Sequence, residues 1–310
     1  MGTFFVFTLL ALGVHDAVAV IHSLKYFYTA SRGIPSFPEF VTVGLVNNQP
    51  ISYYDSTQRR EVPKQEWMKQ TEEAEYWDKQ TKISMATEKQ FKASIDTVSQ
   101  RLNQTKGPHI VQNMYGCEWD DETGKVNGFN QFGYNGEDYI AFNLETETWI
   151  APKPEAMITK MKWDRDEAKI QKDKTYLTHV CVEWLKKYLE FGKQSLMRTV
   201  LPSIYLLQKS FLSPVTCHAT GFYPDRAMLF WTKDGVELFE GVDPGEILPN
   251  HDGTFQVSTE LDMSAVPSGD WGRYNCVFQL SGVKEDIITQ LDKESIRSNA
   301  EKKMQTPSIL

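Results

Sequence analysis

Tyr176, Val180, Trp184 and Tyr188 recur every four positions around Cys181. At that spacing a helix stacks its side chains along one face. Two phenols and an indole then form a flat apolar wall whose edges carry hydroxyl and N–H groups. Such a wall suits a groove that holds something amphipathic. Periodicity by itself favours a core-packed face, and the rest of the chain decides against that. The chemistry on offer is stacking and hydrogen bonding rather than bond breaking.

Little else in the sequence could do chemistry. There is no Gly-rich phosphate loop, no HExxH helix and no GxSxG elbow. No carboxylates form an isolated pair flanked by apolar residues, the setting that raises a pKa. The six histidines are scattered singly, and His179 beside Cys181 reads as an exposed helix residue without a catalytic or metal role. Without a CxxC motif or a Cys/His cluster, neither a metal site nor a cofactor is expected. The sequence therefore reads as a binding protein and not an enzyme. A net charge of -8 gives no basic footprint, so no nucleic acid partner is expected.

The elements that would position the wall can be traced along the 310 residues. Phe4 to Val14 is apolar and precedes Ala17-Val18-Ala19, which predicts a signal peptide over 1–19 and a mature start at Val20, although the usual basic leader is missing. Residues 20–61 carry strand-like runs, Lys25–Thr29 and Phe40–Val46, punctuated by Asn47-Asn48 and Gln49-Pro50. From Lys64 to Leu102 the pattern turns helical, with Phe91, Ile95, Val98 and Leu102 on one face. Gly107-Pro108 ends this unit.

The plan then repeats. Val111–Trp119, Phe129–Tyr134 and Tyr139–Leu144 read as strands, with turns at Asn127-Gly128 and Asn135-Gly136. Pro152 and Pro154 open a helical stretch to about Met197, on which Leu177, Cys181 and Leu185 face the sheet. From Pro202 onward the chain shows short strands, many turns and no convincing helix. Cys217, Trp231 and Cys276 follow the order of an immunoglobulin sandwich, and Tyr274 sits where a tyrosine corner would place it.

Four cysteines in a secreted chain should pair. Of three possible pairings, sequence neighbourhood favours Cys117–Cys181 and Cys217–Cys276. Each would close a long loop, worth about 4 kcal/mol by chain entropy. Asn103-Gln104-Thr105 is the sole glycosylation sequon, which assigns a glycan to Asn103. Residues 293–310 form a polar tail. Nothing after the signal approaches the roughly 20 apolar residues of a membrane span, so the chain as given is expected to be soluble.

Six stretches carry a family resemblance: HSLKYFYT (22–29), EYWD (75–78), MYGCEWDDETG (114–124), CVEWLKKYLE (181–190), GFYPDRAMLFWTKDG (221–235) and DGTFQ (252–256). Together, and in this order, they resemble major histocompatibility complex class I heavy chains over about residues 20–292. In detail the chain is similar to classical-type chains of ray-finned fish. The resemblance implies an α+β platform, eight antiparallel strands under two long helices, followed by an immunoglobulin-like β-sandwich. The platform halves would be 20–107 and 108–199, and the sandwich 200–292. It also implies non-covalent association with beta-2-microglobulin and display of short peptides to T-cell receptors at the cell surface.

Carried over by position, the resemblance places Tyr26, Tyr76, Tyr176, Trp184 and Tyr188 around a peptide N-terminus. Thr159, Lys162 and Trp163 would hold the C-terminal carboxylate, with Tyr139 lining the pocket beneath the last side chain. Arg101 stands where mammalian chains carry tyrosine and where arginine is familiar in fish, amphibians and birds. Its planar fork can clamp a carboxylate at any physiological pH, yet a longer peptide could pass over it. Tyr28, Asn113, Tyr115 and Tyr134 would shape pockets in the floor. Glu237, Glu240 and Asp243 match an acidic loop that docks the T-cell co-receptor. A class I-like chain can also hold a non-peptide ligand or none, or act as a soluble isoform modulating presentation.

Overall fold

The computed structural model describes residues 20–104, 106–210 and 213–298. The signal segment, Thr105 of the sequon and most of the polar tail lie outside the described residues. Strands β1 (Ile21–Arg32), β2 (Phe40–Val46), β3 (Gln49–Asp55) and β4 (Val62–Pro63) are followed by helices α1 (Glu66–Thr71) and α2 (Ala74–Arg101). Then come β5 (His109–Asp120), β6 (Val126–Tyr134), β7 (Glu137–Asn143) and β8 (Thr148–Ile150). These eight strands form one antiparallel sheet in the order β4-β3-β2-β1-β5-β6-β7-β8. The two halves are thus joined at β1 and β5, which pair from Ile21 opposite Asp120 to Arg32 opposite His109.

Turn chemistry accounts for much of this register. Asn47 and Asn48 both take positive φ, 46° and 57°, which closes the β2–β3 hairpin. Asn135 and Gly136 close β6–β7 in the same way, at 52° and 83°. Asn127-Gly128 does not turn, contrary to the sequence expectation; both residues lie inside β6. A Cβ at Gly128 would lie 2.7 Å from the Leu177 Cβ and 2.9 Å from Leu144 Cδ1, so glycine there lets a helix approach the sheet. The turn falls instead at Asp121–Gly124, where Asp120 accepts from the Glu122 and Thr123 amides. Gln49-Pro50 likewise opens β3 rather than interrupting the chain.

The helices lie on one face of the sheet. Phe91, Ile95 and Val98 of α2 are buried against it, as their spacing predicts. The Lys64–Leu102 stretch is divided at Glu72-Glu73 into α1 and α2. The second helical stretch is divided further, into α3 (Met157–Asp164), α4 (Glu167–Thr175), a π-helical turn (Tyr176–Val180), α5 (Cys181–Phe191) and α6 (Lys193–Leu196). Asp166 caps α4 by accepting from the Lys169 amide. Leu177, Cys181 and Leu185 are buried towards the sheet, and Cys181 is bonded to Cys117 of β5.

The remaining chain forms two packed sheets. One contains β9 (Ser203–Gln208), β10 (Val215–Phe222), β13 (Val242–Pro244), β14 (Leu248–Pro249), β15 (Phe255–Leu261) and β18 (Arg297–Ser298). The other is β12-β11-β16-β17, with β11 at Ala227–Lys233, β12 at Val236–Glu237, β16 at Tyr274–Leu280 and β17 at Ile287–Gln290. Trp231 is fully buried in the same cluster as the Cys217–Cys276 bridge, and its indole N–H donates to the Thr259 carbonyl. Arg198 lies over the Tyr223 ring and donates to the Gly253 carbonyl at 2.8 Å, joining the platform's last helix to the sandwich.

Between α2 and the sheet, the Tyr54 hydroxyl donates to Glu88 at 2.7 Å, and Lys92 pairs with the same carboxylate at 2.8 Å. Burial pushes Glu88 up, but the hydrogen bonds from Lys92 and Tyr54 and the charges of Lys92 and Arg59 outweigh it and hold it below its usual range. The resulting stabilisation is present above the unfolded carboxyl value of about 4.3 and is lost as pH falls through the lower folded value. Glu88→Gln should therefore lower the melting temperature at pH 7 and flatten the acid limb of the stability profile. Gly128→Ala should cost about 1–3 kcal/mol through overpacking against Leu177, read by thermal unfolding.

Candidate functional site

The cleft between α2 and the α3–α5 segment has the paired central strands as its floor. Alternation places Tyr26 and Tyr28 of β1 on the same face as their partners Tyr115 and Asn113 of β5. Tyr26 and Tyr115 stack at 5.2 Å, and the Tyr28 and Tyr115 hydroxyls bond at 2.7 Å. Tyr176 meets Tyr115 edge-on at 5.6 Å. Above them the hydroxyls of Tyr76 from α2 and Tyr188 from α5 bond at 2.8 Å, bridging the cleft. Trp184 stacks on Tyr188 at 5.6 Å and closes that end.

Burial keeps this cluster uncharged. Desolvation pushes the Tyr28 and Tyr76 phenols up to about 12 and raises those of Tyr26, Tyr115, Tyr176 and Tyr188 as well. Each neutral hydroxyl can accept from a cationic N–H and donate to a carbonyl. The π turn matters here. It carries Tyr176 at its start, and its widened backbone bond runs from the Cys181 amide to the Tyr176 carbonyl. A regular helix would set the wall's upper and lower halves at a different angle.

The other end is built differently. Arg101, at the last turn of α2, donates to the Thr159 hydroxyl at 2.8 Å and to the Tyr139 hydroxyl at 3.2 Å. Tyr139 and Thr159 bond each other at 3.1 Å. Arg101 therefore spans the cleft from α2 to α3 and β7. The guanidinium takes a lone pair of each hydroxyl, and one of the two hydroxyls donates its proton to the other. A cavity of about 350 Å³ opens beside this network. Phe91, Val98, Val111 and Phe132 give it apolar walls, and Arg101, Lys162 and Lys169 line it with positive charge. Trp163 packs edge-on against Trp149 at 4.6 Å and Phe132 at 5.4 Å.

The structure thus gathers the five aromatic residues at one end and Arg101, Tyr139, Thr159, Lys162 and Trp163 at the other. Asn113 is tied to the Asn130 side chain at 2.8 Å and lies in the floor between them. Tyr134 lines the second cavity, but its hydroxyl is engaged with His109 at 3.0 Å. His179 is exposed and bonds only locally, with Thr178. Glu237 at the end of β12, Glu240 in the loop that follows and Asp243 in β13 are all exposed, around an exposed Phe239. Asn103 is exposed just beyond α2 with φ 56°. Among the described residues no group of three or more His, Cys, Asp or Glu side chains could hold a metal ion.

Sequence reasoning missed Phe132, Lys169 and Glu61. Phe132 was read only as a strand residue. Lys169 reads as a solvated helix cation, yet its ammonium lies over both Trp149 and Trp163, at 4.8 and 4.7 Å, and pairs with Asp173 at 2.8 Å. The bend between α3 and α4 turns it inward, and no sequence signal marks that bend except the Asp166 cap. Glu61 is 5% exposed and accepts from Ser84 at 2.7 Å. A single glutamate before a short strand carries no sequence signal at all.

Comparison with known proteins agrees with this architecture. Residues 20–196 match the family described as class I histocompatibility antigen, domains alpha 1 and 2, and residues 206–282 match the immunoglobulin C1-set domain. The class I histocompatibility antigen F10 alpha chain of Gallus gallus is 39% identical over 271 residues, 86% of this chain and 77% of that relative. Major histocompatibility complex class I-related protein 1 of Mus musculus is 38% identical over 278 residues, 88% of this chain and 80% of the relative. The Bos taurus protein of the same name is 35% identical over 268 residues. With one domain family spanning more than half of its length and relatives aligned along most of it, the chain belongs to the major histocompatibility complex class I family.

Proposed function

We propose that this chain binds short peptides in the cleft, in complex with beta-2-microglobulin, and presents them to T-cell receptors. Class I proteins are antigen-presentation molecules rather than enzymes, and they typically bind beta-2-microglobulin and peptide. The observation that carries the reading is the opposite chemistry of the two ends. A zwitterionic chain needs acceptors for its ammonium, and the neutral phenols of Tyr26, Tyr76, Tyr176 and Tyr188 supply them, with Trp184 as the wall. It needs cations and hydroxyl donors for its carboxylate, and Arg101, Lys162, Thr159 and Tyr139 supply these, with Trp163 beside them.

Length agrees with that assignment. Tyr76 and Arg101 lie about 37 Å apart along α2 at its rise per residue, a span an extended peptide covers with about eleven residues. Tyr28, Asn113, Tyr115 and Tyr134 would shape the side-chain pockets between these ends. In this reading the acidic loop bearing Glu237, Glu240 and Asp243 docks a T-cell co-receptor, and Asn103 carries a glycan. The secretory pathway is the matching route. Among the described residues no helix is long and apolar enough to cross a membrane.

A second reading, a class I-like chain with a non-peptide ligand, is favoured by the similar identity to the mouse class I-related protein, 38% against 39% for the chicken chain. Refolding residues 20–292 with beta-2-microglobulin and a random peptide library separates the two. Mass spectrometry of acid-eluted material should recover short peptides; a stable complex that yields none supports the second reading.

Two variants test the ends. Lys162→Ala should weaken peptides with a free C-terminus about ten- to hundredfold, the scale of a hydrogen bond to a charged group, and amidated peptides far less. Equal loss for both would refute the carboxylate role. Tyr188→Phe should cost about 1 kcal/mol of peptide affinity or more in the same competition assay.

A further inference from the structure

An open β-sheet ends in edge strands whose outward N–H and C=O groups are unpaired, and folded chains shield them with prolines, charges or covering segments. Most edges here are shielded. β4, β13 and β14 contain Pro63, Pro244 and Pro249, β12 contains Glu237, and β18 contains Arg297. β8 has neither proline nor charge, but α3 covers it: Asp164 accepts from the Trp149 amide at 2.8 Å, and Lys160 donates to the Trp149 carbonyl at 2.6 Å. Among the described residues β17 is the exception. It reads Ile287-Ile288-Thr289-Gln290, pairs with β16 alone and leaves Ile288 64% exposed.

Register fixes what β17 presents to its open side. The Leu291 amide donates to the Tyr274 carbonyl of β16, and hydrogen-bonded pairs alternate along an antiparallel ladder. Leu291, Thr289 and Ile287 therefore turn their backbone groups towards β16, whereas Ile288 and Gln290 turn theirs outward. Ile288 lies opposite Val277, and Val277 opposite Phe230. Trp231 and Cys276 face the core, so alternation places Phe230, Val277 and Ile288 on the outer face of the sheet. These three side chains form one apolar row that ends at the open edge, with the exposed Met228 beside it.

We infer that β17 is the edge at which a second copy of this chain docks. Antiparallel pairing about a two-fold axis at Ile288 lets its outward N–H and C=O groups bond those of its counterpart. The two apolar rows then meet at the axis, and two four-stranded sheets continue as one. The same register lays Lys284 opposite Asp292, both exposed, and symmetry repeats that attraction on the other side. Moving the axis to Thr289 sets Asp286 against Asp292, and moving it to Ile287 sets Asp286 against Ile288. An axis between two residues would face outward backbone groups with inward ones. Parity and charge thus select one register. The copies lie head to tail. Ser281, just before β17, donates its amide to the Arg226 carbonyl, and Arg226 donates to the Ile21 carbonyl of the platform. β17 therefore runs away from the platform, and the two clefts stand at opposite ends of the pair.

The test uses the chain from Val20 to Leu310, refolded with beta-2-microglobulin and the peptide library, and reads its mass by sedimentation equilibrium across a dilution series. A monomer–dimer equilibrium is expected. Ile288→Lys should raise the dimer dissociation constant about tenfold or more, because the added charge enters twice at the axis. Lys284→Asp and Asp292→Lys should each weaken the dimer, and the two together should restore it to within about twofold of the parent. Thermal unfolding checks that each variant is folded. A chain that stays monomeric at every dilution would overturn the inference, as would a dimer indifferent to Ile288→Lys. Loss of beta-2-microglobulin from a folded Ile288→Lys chain would assign the edge to that partner and overturn it too.

Discussion

The pairing of β1 with β5 is the constraint on which the rest of the platform depends. Twelve residues of each strand run antiparallel in register, and through them the first half's sheet continues into the second's. Their alternation decides which side chains face the helices. A slip of one residue would send Tyr26, Tyr28, Asn113 and Tyr115 to the opposite face and bring Lys25 and Phe27 up in their place. Leu24 and Cys117 pin the register, being paired, fully buried and crossed by the disulfide to α5. One bridge thus fixes the height of a helix over the floor and the phase of the strand beneath it.

On that floor the cleft solves two electrostatic problems by different means. At one end, neutral hydroxyls are packed so closely that burial raises every phenol and none ionises in the physiological range. Such a cluster can receive a cation without bringing a formal charge of its own out of water. At the other end a guanidinium is placed in the cleft, and Arg101 orders two hydroxyls by donating to both. The difference follows from burial. The phenols sit beneath helices on both sides, whereas Arg101 and Lys162 stand at a helix end and on an exposed helix face.

Much of the fold was legible because it rests on local chemistry. Asn47-Asn48 and Asn135-Gly136 turn where positive φ is tolerated. Phe91, Ile95 and Val98 show the spacing of a helix on a sheet, and Cys217, Trp231 and Cys276 the order of a sandwich core. Asn127-Gly128 was misread because the same dipeptide that favours a turn also suits a strand pressed against a helix, and only the position of Leu177 distinguishes the two. The π turn and the bend before α4 were equally invisible. Both are adjustments a helix makes to a surface it packs on.

The sequence by itself determined most element types, the turns at Asn47-Asn48 and Asn135-Gly136, the pairing of the cysteines and the identity of the aromatic wall, since each follows from residues within a few positions of one another or from joint motif order. Tertiary structure alone decided that Tyr76 meets Tyr188, that Arg101 reaches Thr159, that Lys169 turns inward and that Glu61 is buried against Ser84. These contacts join residues far apart in the chain, and their existence depends on how far a helix stands from the sheet. Local propensity carries no information about that distance; the packing of Gly128 against Leu177 and the bridge from Cys117 to Cys181 set it.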